Sequence, residues 1–195
     1  EIILSKSNVR LIYTFILRLH LAAPLHNPLA WGHHFGGQRR TYLSRSIIMP
    51  GNAFVYGTLM AEEVLTKLIR RVPANKPAVL AGYSRYAVKR AVYPAIIATK
   101  PEERVQGKVL LDLTDHELEI LDVYESDQYY RTTVHPVTED GQKVTADVYV
   151  WKDDFMEDLA IGTSWDYSLW REQNLYRWVD RLAPDAAHPE GDLQD

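Results

Sequence analysis

The chain has 195 residues, of which 46% are hydrophobic and 25% are charged, proportions typical of a single soluble globular domain with a substantial core. Its formal net charge is -4, so no strong positive field favours nucleic acid or an anionic membrane as a partner. The absence of cysteine excludes disulfides, zinc–thiolate sites and cysteine nucleophiles. It also permits a reducing compartment, and a cytoplasmic location is expected.

Residues 1–50 form a basic arm that differs from the rest of the chain. Six lysines and arginines stand against one acid, Glu1. The apolar run Leu11–Leu25 is interrupted by Arg18, so it is too short and too charged to span a bilayer. Such an arm resembles an organellar transit peptide, which leaves import into an organelle open. It also resembles translated upstream sequence in front of a start at Met49, and this second interpretation is favoured.

The two ends of the chain add no predicted site. His33 and His34 are adjacent, so their side chains point apart, and no third ligand lies near them in sequence. No metal site is therefore predicted. Residues 183–195 are polar and are expected to be disordered. The sequence thus predicts one domain over residues 51–182.

The domain opens with a short strand, Ala53–Tyr56, followed by a helix. Glu62 and Glu63 occupy the first turn of this helix, where the helix dipole favours acids, and Pro73 ends it. The apolar face repeats at helical spacing through Val64, Leu65, Leu68, Ile69 and Val72.

Two further strands and a second helix follow. The strands are Val79–Val88 and Gln106–Leu113, with the apolar stretch Tyr93–Ile97 between them. Thr114 and Glu117 have the spacing of a capping box, with the threonine at the N-cap and the glutamate three residues later. This box predicts a helix that runs to about residue 124.

The last predicted elements are a hairpin and a helix. Tyr130–Val137 and Val144–Trp151 alternate in polarity and are joined by the turn Glu139–Gln142. A final amphipathic helix covers about Asp166–Leu182, and Pro184 stops it. Its predicted apolar face consists of Leu169, Tyr176, Val179 and Leu182. Strands outnumber helices and do not alternate with them, so the fold class is α+β: a small mixed barrel or strongly curled sheet with flanking helices.

The segment after the first strand is a candidate anion-binding loop. Glycine lets a ligand approach the backbone, and free N–H groups at the start of the next helix attract negative charge. A threonine here can cap that helix or bind a substrate carboxylate. The alternative is an ordinary strand-to-helix turn. The candidate substrate-binding residues are Tyr56, Gly57, Thr58, Leu59, Met60 and Ala61.

Glu125 is the candidate general base. It lies just beyond the predicted end of the capped helix, close in sequence to Asp122 and Asp127. The negative helix end and the neighbouring acids both disfavour its charged form, so burial would raise its pKa into the range of a base that works near neutral pH. The alternative is a solvated loop acid. Arg131 is interpreted as a structural partner of a nearby carboxylate.

These two segments are where the chain resembles a known family. The strand with its Tyr-Gly-Thr-Leu turn and the Leu-Asp-x-x-Glu helix end, Leu121 to Glu125, occur in the order and approximate spacing of the gamma-glutamylcyclotransferase-like proteins, and most resemble their plant avirulence-induced branch. The resemblance covers about residues 52–178. It implies a small mixed β-barrel with flanking helices, a loop at Tyr56 to Leu59 that cradles a γ-glutamyl group, and Glu125 as the catalytic acid/base.

The implied reaction is internal aminolysis, in which the substrate's α-amine attacks its own γ-carbonyl and releases 5-oxoproline. It implies a small γ-glutamyl compound as the partner and no cofactor. Two alternatives stay open: a non-catalytic ligand-binding or plant defence protein that retains the pocket, and another amide-cleaving transferase on the same scaffold. The residues that choose the substrate are expected among the pocket walls, for which the candidates are Tyr83, Tyr86, Tyr93, Tyr129 and Trp151.

Overall fold

The computed structural model of the protein describes residues 50–182; the predictions for the basic arm before Pro50 and for the tail from residue 183 lie outside the described residues. Two 3-10 turns accompany the regular elements, at Thr58–Met60 and Asp153–Asp158. In chain order the elements are β1 (Gly51–Val55), α1 (Glu62–Ile69), β2 (Asn75–Ala81), β3 (Tyr83–Val88), β4 (Pro94–Ala98), β5 (Arg104–Leu113), α2 (Asp115–Glu125), β6 (Tyr129–Val134), β7 (Val137–Thr138), β8 (Ala146–Trp151), β9 (Leu159–Ala160) and α3 (Tyr167–Arg181).

The strands form two sheets, which confirms the α+β class. One is six-stranded with the order β6-β8-β1-β5-β2-β7, and the other is three-stranded with the order β4-β3-β9. The larger sheet is mixed, because β1 pairs antiparallel with β5 and parallel with β8. Within residues 50–182 the pairing does not close either sheet, so the predicted curled sheet with flanking helices is found and the predicted barrel is not.

Strand β1 lies in the middle of the larger sheet and is covered on both faces. Ala53 and Val55 belong to the apolar cluster that includes the helices. Phe54 belongs to a second cluster on the other face, together with Tyr56, which follows the strand. Because successive strand residues point to opposite faces, the part of β1 that is buried on both sides, Ala53–Val55, is apolar throughout, as the sequence predicted. This burial fixes the strand end from which the Tyr56–Ala61 segment starts.

The predicted strand Val79–Val88 is two strands. Gly82 separates them and has a φ of 82°, a left-handed conformation that glycine adopts without a steric penalty. The chain therefore turns at Gly82, so that β2 pairs with β5 in the larger sheet while β3 pairs with β4 in the smaller one. The apolar stretch around Tyr93–Ile97 supplies β4.

The predicted hairpin is found with a modification. Strands β6 and β8 pair antiparallel in register from Tyr129 opposite Trp151 to Val134 opposite Ala146. The segment between them does not form a plain turn, because Val137–Thr138 pairs with β2 at the opposite edge of the sheet. Because only His135 and Pro136 separate β6 from β7, the two edges of the larger sheet lie close together, so this sheet is strongly curled.

The first two helices begin where the sequence predicted. Helix α2 begins with the complete capping box: the Glu117 N–H donates to Thr114 Oγ1, and the Glu117 carboxylate accepts from the Thr114 N–H. Helix α1 ends earlier than predicted, at Ile69, because Arg70 takes a left-handed conformation with a φ of 62°. Val72 therefore lies outside the helix and is 40% exposed.

Helix α3 confirms its predicted bounds but not its predicted apolar face. Asp166 is the N-cap and accepts a hydrogen bond from the Leu169 N–H. Leu169 and Tyr176 are 51% and 84% exposed, whereas Trp170 is only 2% exposed. The helix is oriented by its tryptophans, whose larger apolar surface gains more from burial than a leucine does. Val179 and Leu182, the other two predicted face residues, do pack against the core.

No helix within residues 50–182 is long and apolar enough to cross a membrane.

Candidate functional site

A cavity of about 130 Å³ lies between the end of β1, the end of α2 and the last turns of α3. A water molecule needs about 10–15 Å³, so this space has room for a small molecule. We call it the Glu125 cavity. Its lining residues are Phe54, Val55, Tyr56, Gly57, Thr58, Leu59, Tyr93, Pro94, Tyr124, Glu125, Ser126, Gln128, Tyr129, Tyr149, Trp178, Arg181 and Leu182.

The first predicted segment forms a 3-10 turn on one wall of the cavity. Its internal hydrogen bonds run from the Met60 N–H to the Gly57 oxygen, at 3.0 Å, and from the Ala61 N–H to the Thr58 oxygen, at 3.1 Å. The N–H groups that precede the first bond of such a turn have no partner inside it. Gly57, Thr58 and Leu59, which line the cavity, thus carry the N–H groups that a bound anion would meet.

The structure divides the six candidate loop residues into two groups. Tyr56, Gly57, Thr58 and Leu59 line the cavity. Met60 and Ala61 are outside the lining and are packed in the core cluster that includes α1. Their place is a consequence of the 3-10 turn, which carries the chain from the cavity wall into the core within three residues.

Gly57 is required by close packing against Pro94. Its φ is -126° and its ψ is -135°, a combination outside the extended and right-handed helical regions. A Cβ atom at this position would lie 3.0 Å from Pro94 Cγ and 3.2 Å from Pro94 Cδ. These distances are shorter than ordinary van der Waals contact, so even one carbon forces the loop or the proline to move.

Gly57→Val should therefore weaken both folding and ligand binding. Overpacking of this kind costs about 1–3 kcal/mol of unfolding free energy, and the displaced loop would no longer present the same N–H groups. Gly57→Ala is the graded control and should lose less of both. Urea denaturation and the affinity for L-glutamate measure the two effects. Wild-type affinity in a folded Gly57→Val variant would show that the turn does not bind the ligand.

The Thr58 side chain is fixed from two other elements. Its Oγ1 lies 2.7 Å from the Tyr124 hydroxyl at the end of α2, and Trp178 Nε1 on α3 donates to the same hydroxyl at 2.8 Å. Burial raises the pKa of Tyr124, so its hydroxyl stays protonated at physiological pH. This chain of hydrogen bonds joins the turn, α2 and α3 around the cavity.

Glu125 lies opposite the turn and is the last residue of α2. The sequence analysis had placed it just beyond the end of this helix. Its side chain is largely buried and lines the same cavity. Within residues 50–182 the carboxyl group has neither a hydrogen-bond partner nor an ion-pair partner. A carboxyl group in that condition is free to bind a proton or a ligand donor.

The pKa of Glu125 is raised from its ordinary value near 4.5 to about 8. The direction agrees with the sequence-based expectation, but the cause differs. Burial is the cause of the raised pKa. Asp122 is occupied elsewhere, because it accepts from the Tyr149 hydroxyl at 2.7 Å and lies 3.3 Å from Arg131 Nε. The predicted structural pairing of Arg131 is thus found.

Ser126, which follows Glu125, has an unusual backbone conformation. Its φ is 66° and its ψ is -174°, a region populated almost only by glycine. The chain turns sharply at the end of α2, and Ser126, like Glu125, lines the cavity. Strain of this kind costs on the order of 1–3 kcal/mol and is found preferentially at functional sites.

Ser126→Gly should increase the free energy of unfolding by about 0.5–2 kcal/mol, because relief of strain exceeds the added entropy of a glycine in the unfolded chain. Ser126→Ala is the matched control: it also removes the hydroxyl but keeps a Cβ, so it should bring no such gain. Urea denaturation measures both variants. Equal stability of the two would show that the conformation is unstrained.

Five tyrosines surround the cavity and supply neutral hydroxyl groups. Burial is the main cause that raises the pKa of each. Two are fixed by hydrogen bonds to the backbone: the Tyr56 hydroxyl donates to the Tyr149 oxygen, and the Tyr129 hydroxyl donates to the Pro94 oxygen. The five are Tyr56, Tyr93, Tyr124, Tyr129 and Tyr149.

The predicted pocket walls are partly found. Tyr93 and Tyr129 line the cavity, whereas Tyr83, Tyr86 and Trp151 are not among its lining residues. The sequence analysis did not assign Tyr124, Tyr149 or Trp178 to the site. Tyr124 could have been found from its place beside Glu125 at the helix end. Tyr149 and Trp178 come from a distant strand and helix, and no local signal marks them.

Among the residues that the structure describes, no group of three or more histidines, aspartates and glutamates is arranged to hold a metal ion.

Comparison with known proteins places this site in a family. Residues 53–171 match the model of a family described as "Gamma-glutamyl cyclotransferase, AIG2-like". The matched residues include the turn at Gly57 and Glu125. AIG2-like protein D of Arabidopsis thaliana is 41% identical over 126 residues, which are 64% of this chain and 81% of that protein.

Two other relatives extend the comparison. A Methanocaldococcus jannaschii protein, named as a gamma-glutamylcyclotransferase and as an RNase candidate, is 42% identical over 103 residues, 51% of this chain and 45% of that protein. An Arabidopsis thaliana protein solved in solution superimposes with a TM-score of 0.54 at 35% identity, covering 68% of this chain and 79% of that one. The chain belongs to the gamma-glutamyl cyclotransferase, AIG2-like family.

Proposed function

We propose that this protein is a gamma-glutamylcyclotransferase, which releases 5-oxoproline from a small γ-glutamyl compound by internal aminolysis. The observation that carries the proposal is that Glu125 and the turn at Gly57–Leu59 line one cavity. A carboxyl group with its pKa raised to about 8 can exchange a proton near neutral pH, and the N–H groups of the turn suit a substrate carboxylate. The name of the archaeal relative supports the same reaction.

The first step assigned to Glu125 is removal of a proton from the substrate's α-ammonium group. The free α-amine then attacks the γ-carbonyl carbon, and a five-membered ring closes as the carbonyl oxygen gains negative charge. Because both reacting groups belong to one molecule, holding the substrate in a folded conformation supplies much of the acceleration. The cavity, with its rigid tyrosine walls, is suited to that task.

Collapse of the tetrahedral intermediate breaks the bond between the γ-carbon and the leaving nitrogen. The protonated Glu125 returns its proton to that nitrogen, and the excess proton on the ring nitrogen passes to the released amine, so the enzyme ends in its starting state and the products are 5-oxoproline and an ammonium ion. Thr58 supplies a hydroxyl donor for a substrate oxygen. The Tyr124 oxygen already accepts from Trp178, so its own proton can bond to Thr58 Oγ1, which leaves the Thr58 proton free.

The test is an assay of 5-oxoproline release from a panel of γ-glutamyl amino acids, γ-glutamyl amines and glutathione. An α-glutamyl dipeptide is the matched control, because closing its ring cannot release free 5-oxoproline. The proposal predicts release from at least one γ-glutamyl compound and none from the control. Saturable binding of the panel without any release would favour the ligand-binding alternative instead.

Catalysis should depend on pH through the ionisation of Glu125. The base must be charged before it can accept a proton, and only a minor fraction is charged at pH 6 if its pKa is about 8. We expect kcat/KM to rise by about tenfold per pH unit below that value and to level off above it. A profile that is already flat between pH 5 and 7 would contradict the assignment.

A further inference from the structure

Arg85, on β3 behind the turn, is a largely buried cation without an ion-pair partner in the described part of the chain. Within residues 50–182 no carboxylate lies within ion-pair distance of its guanidinium. The acid that influences it is Asp166, which already serves as the N-cap of α3. Burial of a charge is costly unless something compensates it, so this arginine requires an explanation beyond packing.

The contacts of Arg85 lead to the substrate-binding turn. Its Nη1 donates to the Tyr56 oxygen at 2.7 Å, and its guanidinium carbon lies 5.4 Å from the centre of the Trp165 ring. Trp165 is itself held, because its Nε1 donates to the Val92 oxygen at 2.8 Å. A cation over a fixed aromatic face has a defined position, and here the guanidinium is held against the Tyr56 carbonyl, with a longer hydrogen bond of 3.5 Å from Nη1 to the Gln106 oxygen.

That carbonyl belongs to the same planar peptide group as the Gly57 N–H. In a trans peptide the C=O and N–H point in opposite directions, so a cation at the oxygen side leaves the N–H side open. A charged donor at the oxygen withdraws electron density from the peptide and makes its N–H a stronger donor. Gly57 lines the Glu125 cavity, whereas Arg85 does not.

We propose that Arg85 is a positioning residue, which holds and polarises the Tyr56–Gly57 peptide so that the Gly57 N–H binds the α-carboxylate of the substrate. Arg85 acts through the peptide and does not contact the substrate. The inference rests on the proposed function for the identity of that carboxylate. It adds that a residue outside the cavity supplies positive charge to the substrate site from behind the loop, in addition to Arg181 in the cavity lining.

The experiment compares Arg85→Met and Arg85→Lys with wild type. Arg104→Met is the matched control, because Arg104 is exposed on β5 and its side chain, among residues 50–182, bonds to the nearby Pro101 and Glu103 oxygens alone. Two readouts are measured: the amide nitrogen resonance of Gly57 by NMR, and the kinetic constants with the best γ-glutamyl substrate. Loss of a charge-assisted bond should raise KM by about tenfold or more with little change in kcat, since ground state and transition state share the carboxylate contact.

Arg85→Met should also shift the Gly57 resonance, while Arg104→Met should leave both readouts at wild-type values. Arg85→Lys keeps the cation and should show a smaller increase in KM. If Arg85→Met does not fold, the KM and the Gly57 resonance of Arg85→Lys test the inference. An unshifted Gly57 resonance, or a fall in kcat at constant KM, would overturn the inference. Absence of turnover in wild type would refute the proposed function, but the resonance would still test the role of Arg85.

Discussion

Glu125→Gln is expected to abolish turnover while the fold stays intact. Glutamine has nearly the shape of glutamic acid, and in the described part of the chain the Glu125 carboxyl group has no hydrogen bond or ion pair to lose. An amide cannot accept the proton of the α-ammonium group or return it to the leaving nitrogen. Removal of a general acid/base usually costs 10²–10⁴-fold, so a loss of at least about 10²-fold in kcat is expected.

Asp127→Asn is the matched control for this variant. It removes one carboxylate from the same segment, two residues further on, but Asp127 is exposed and does not line the cavity. It should keep wild-type kinetics. The measurement is 5-oxoproline release under saturating substrate, with circular dichroism to compare the folds. A Glu125→Gln variant that is folded and turns over at the wild-type rate would show that another group is the base.

Glu125→Gln should also change the pH dependence of the free energy of unfolding, and the direction of this change tests whether Glu125 is buried. Its pKa is raised in the folded protein from near 4.5 to about 8, so between these values the folded state binds a proton that the unfolded state has released. Stability is therefore lost as the pH rises through this window, and each full unit between the two pKa values corresponds to about 1.4 kcal/mol. Glutamine does not ionise, so the variant should exceed wild type in stability at pH 9 but not at pH 4.

The sequence predicted the parts of the site that are local in the chain. The glycine turn follows directly from the end of a buried strand, and the capping box fixes the helix that ends at Glu125. Both features depend on residues within about ten positions, where propensity and capping determine the structure. The high pKa of Glu125 was expected in direction only, because its cause is the burial produced by distant elements.

The remaining features depend on tertiary packing and were not predictable in the same way. Trp178 reaches the Tyr124 hydroxyl across 54 positions of the sequence, and Arg85 meets the Tyr56 oxygen across 29. The buried face of α3 was assigned to Leu169 and Tyr176, and the structure buries Trp170 instead, since helical spacing does not reveal which of two overlapping stripes meets the core. The break at Gly82 likewise depends on the two sheets to which β2 and β3 belong.

Blocking the α-amine of an accepted substrate should stop product formation completely. In the proposed reaction this amine is the nucleophile. The lone pair of an acetylated nitrogen is delocalised into the acetyl carbonyl and cannot attack the γ-carbonyl, and the nitrogen has no ammonium proton for Glu125 to remove. The effect should therefore be a loss of all detectable 5-oxoproline. A change of the leaving amine, by contrast, keeps the nucleophile and the γ-carbonyl and should change the rate only by degrees.

The experiment compares a γ-glutamyl compound with its N-acetyl derivative, with the O-methyl ester of its α-carboxylate as a third substrate. The ester keeps the nucleophile and removes the anion, so it should react with a raised KM if the turn at Gly57 binds the carboxylate. The two modifications thus separate the chemical role of the amine from the binding role of the carboxylate. Because Glu125 could also direct a water molecule at the γ-carbonyl, the acetylated compound must be checked for N-acetylglutamate as well. Release of N-acetylglutamate and its amine would mean that the enzyme hydrolyses the bond, and internal aminolysis would have to be abandoned.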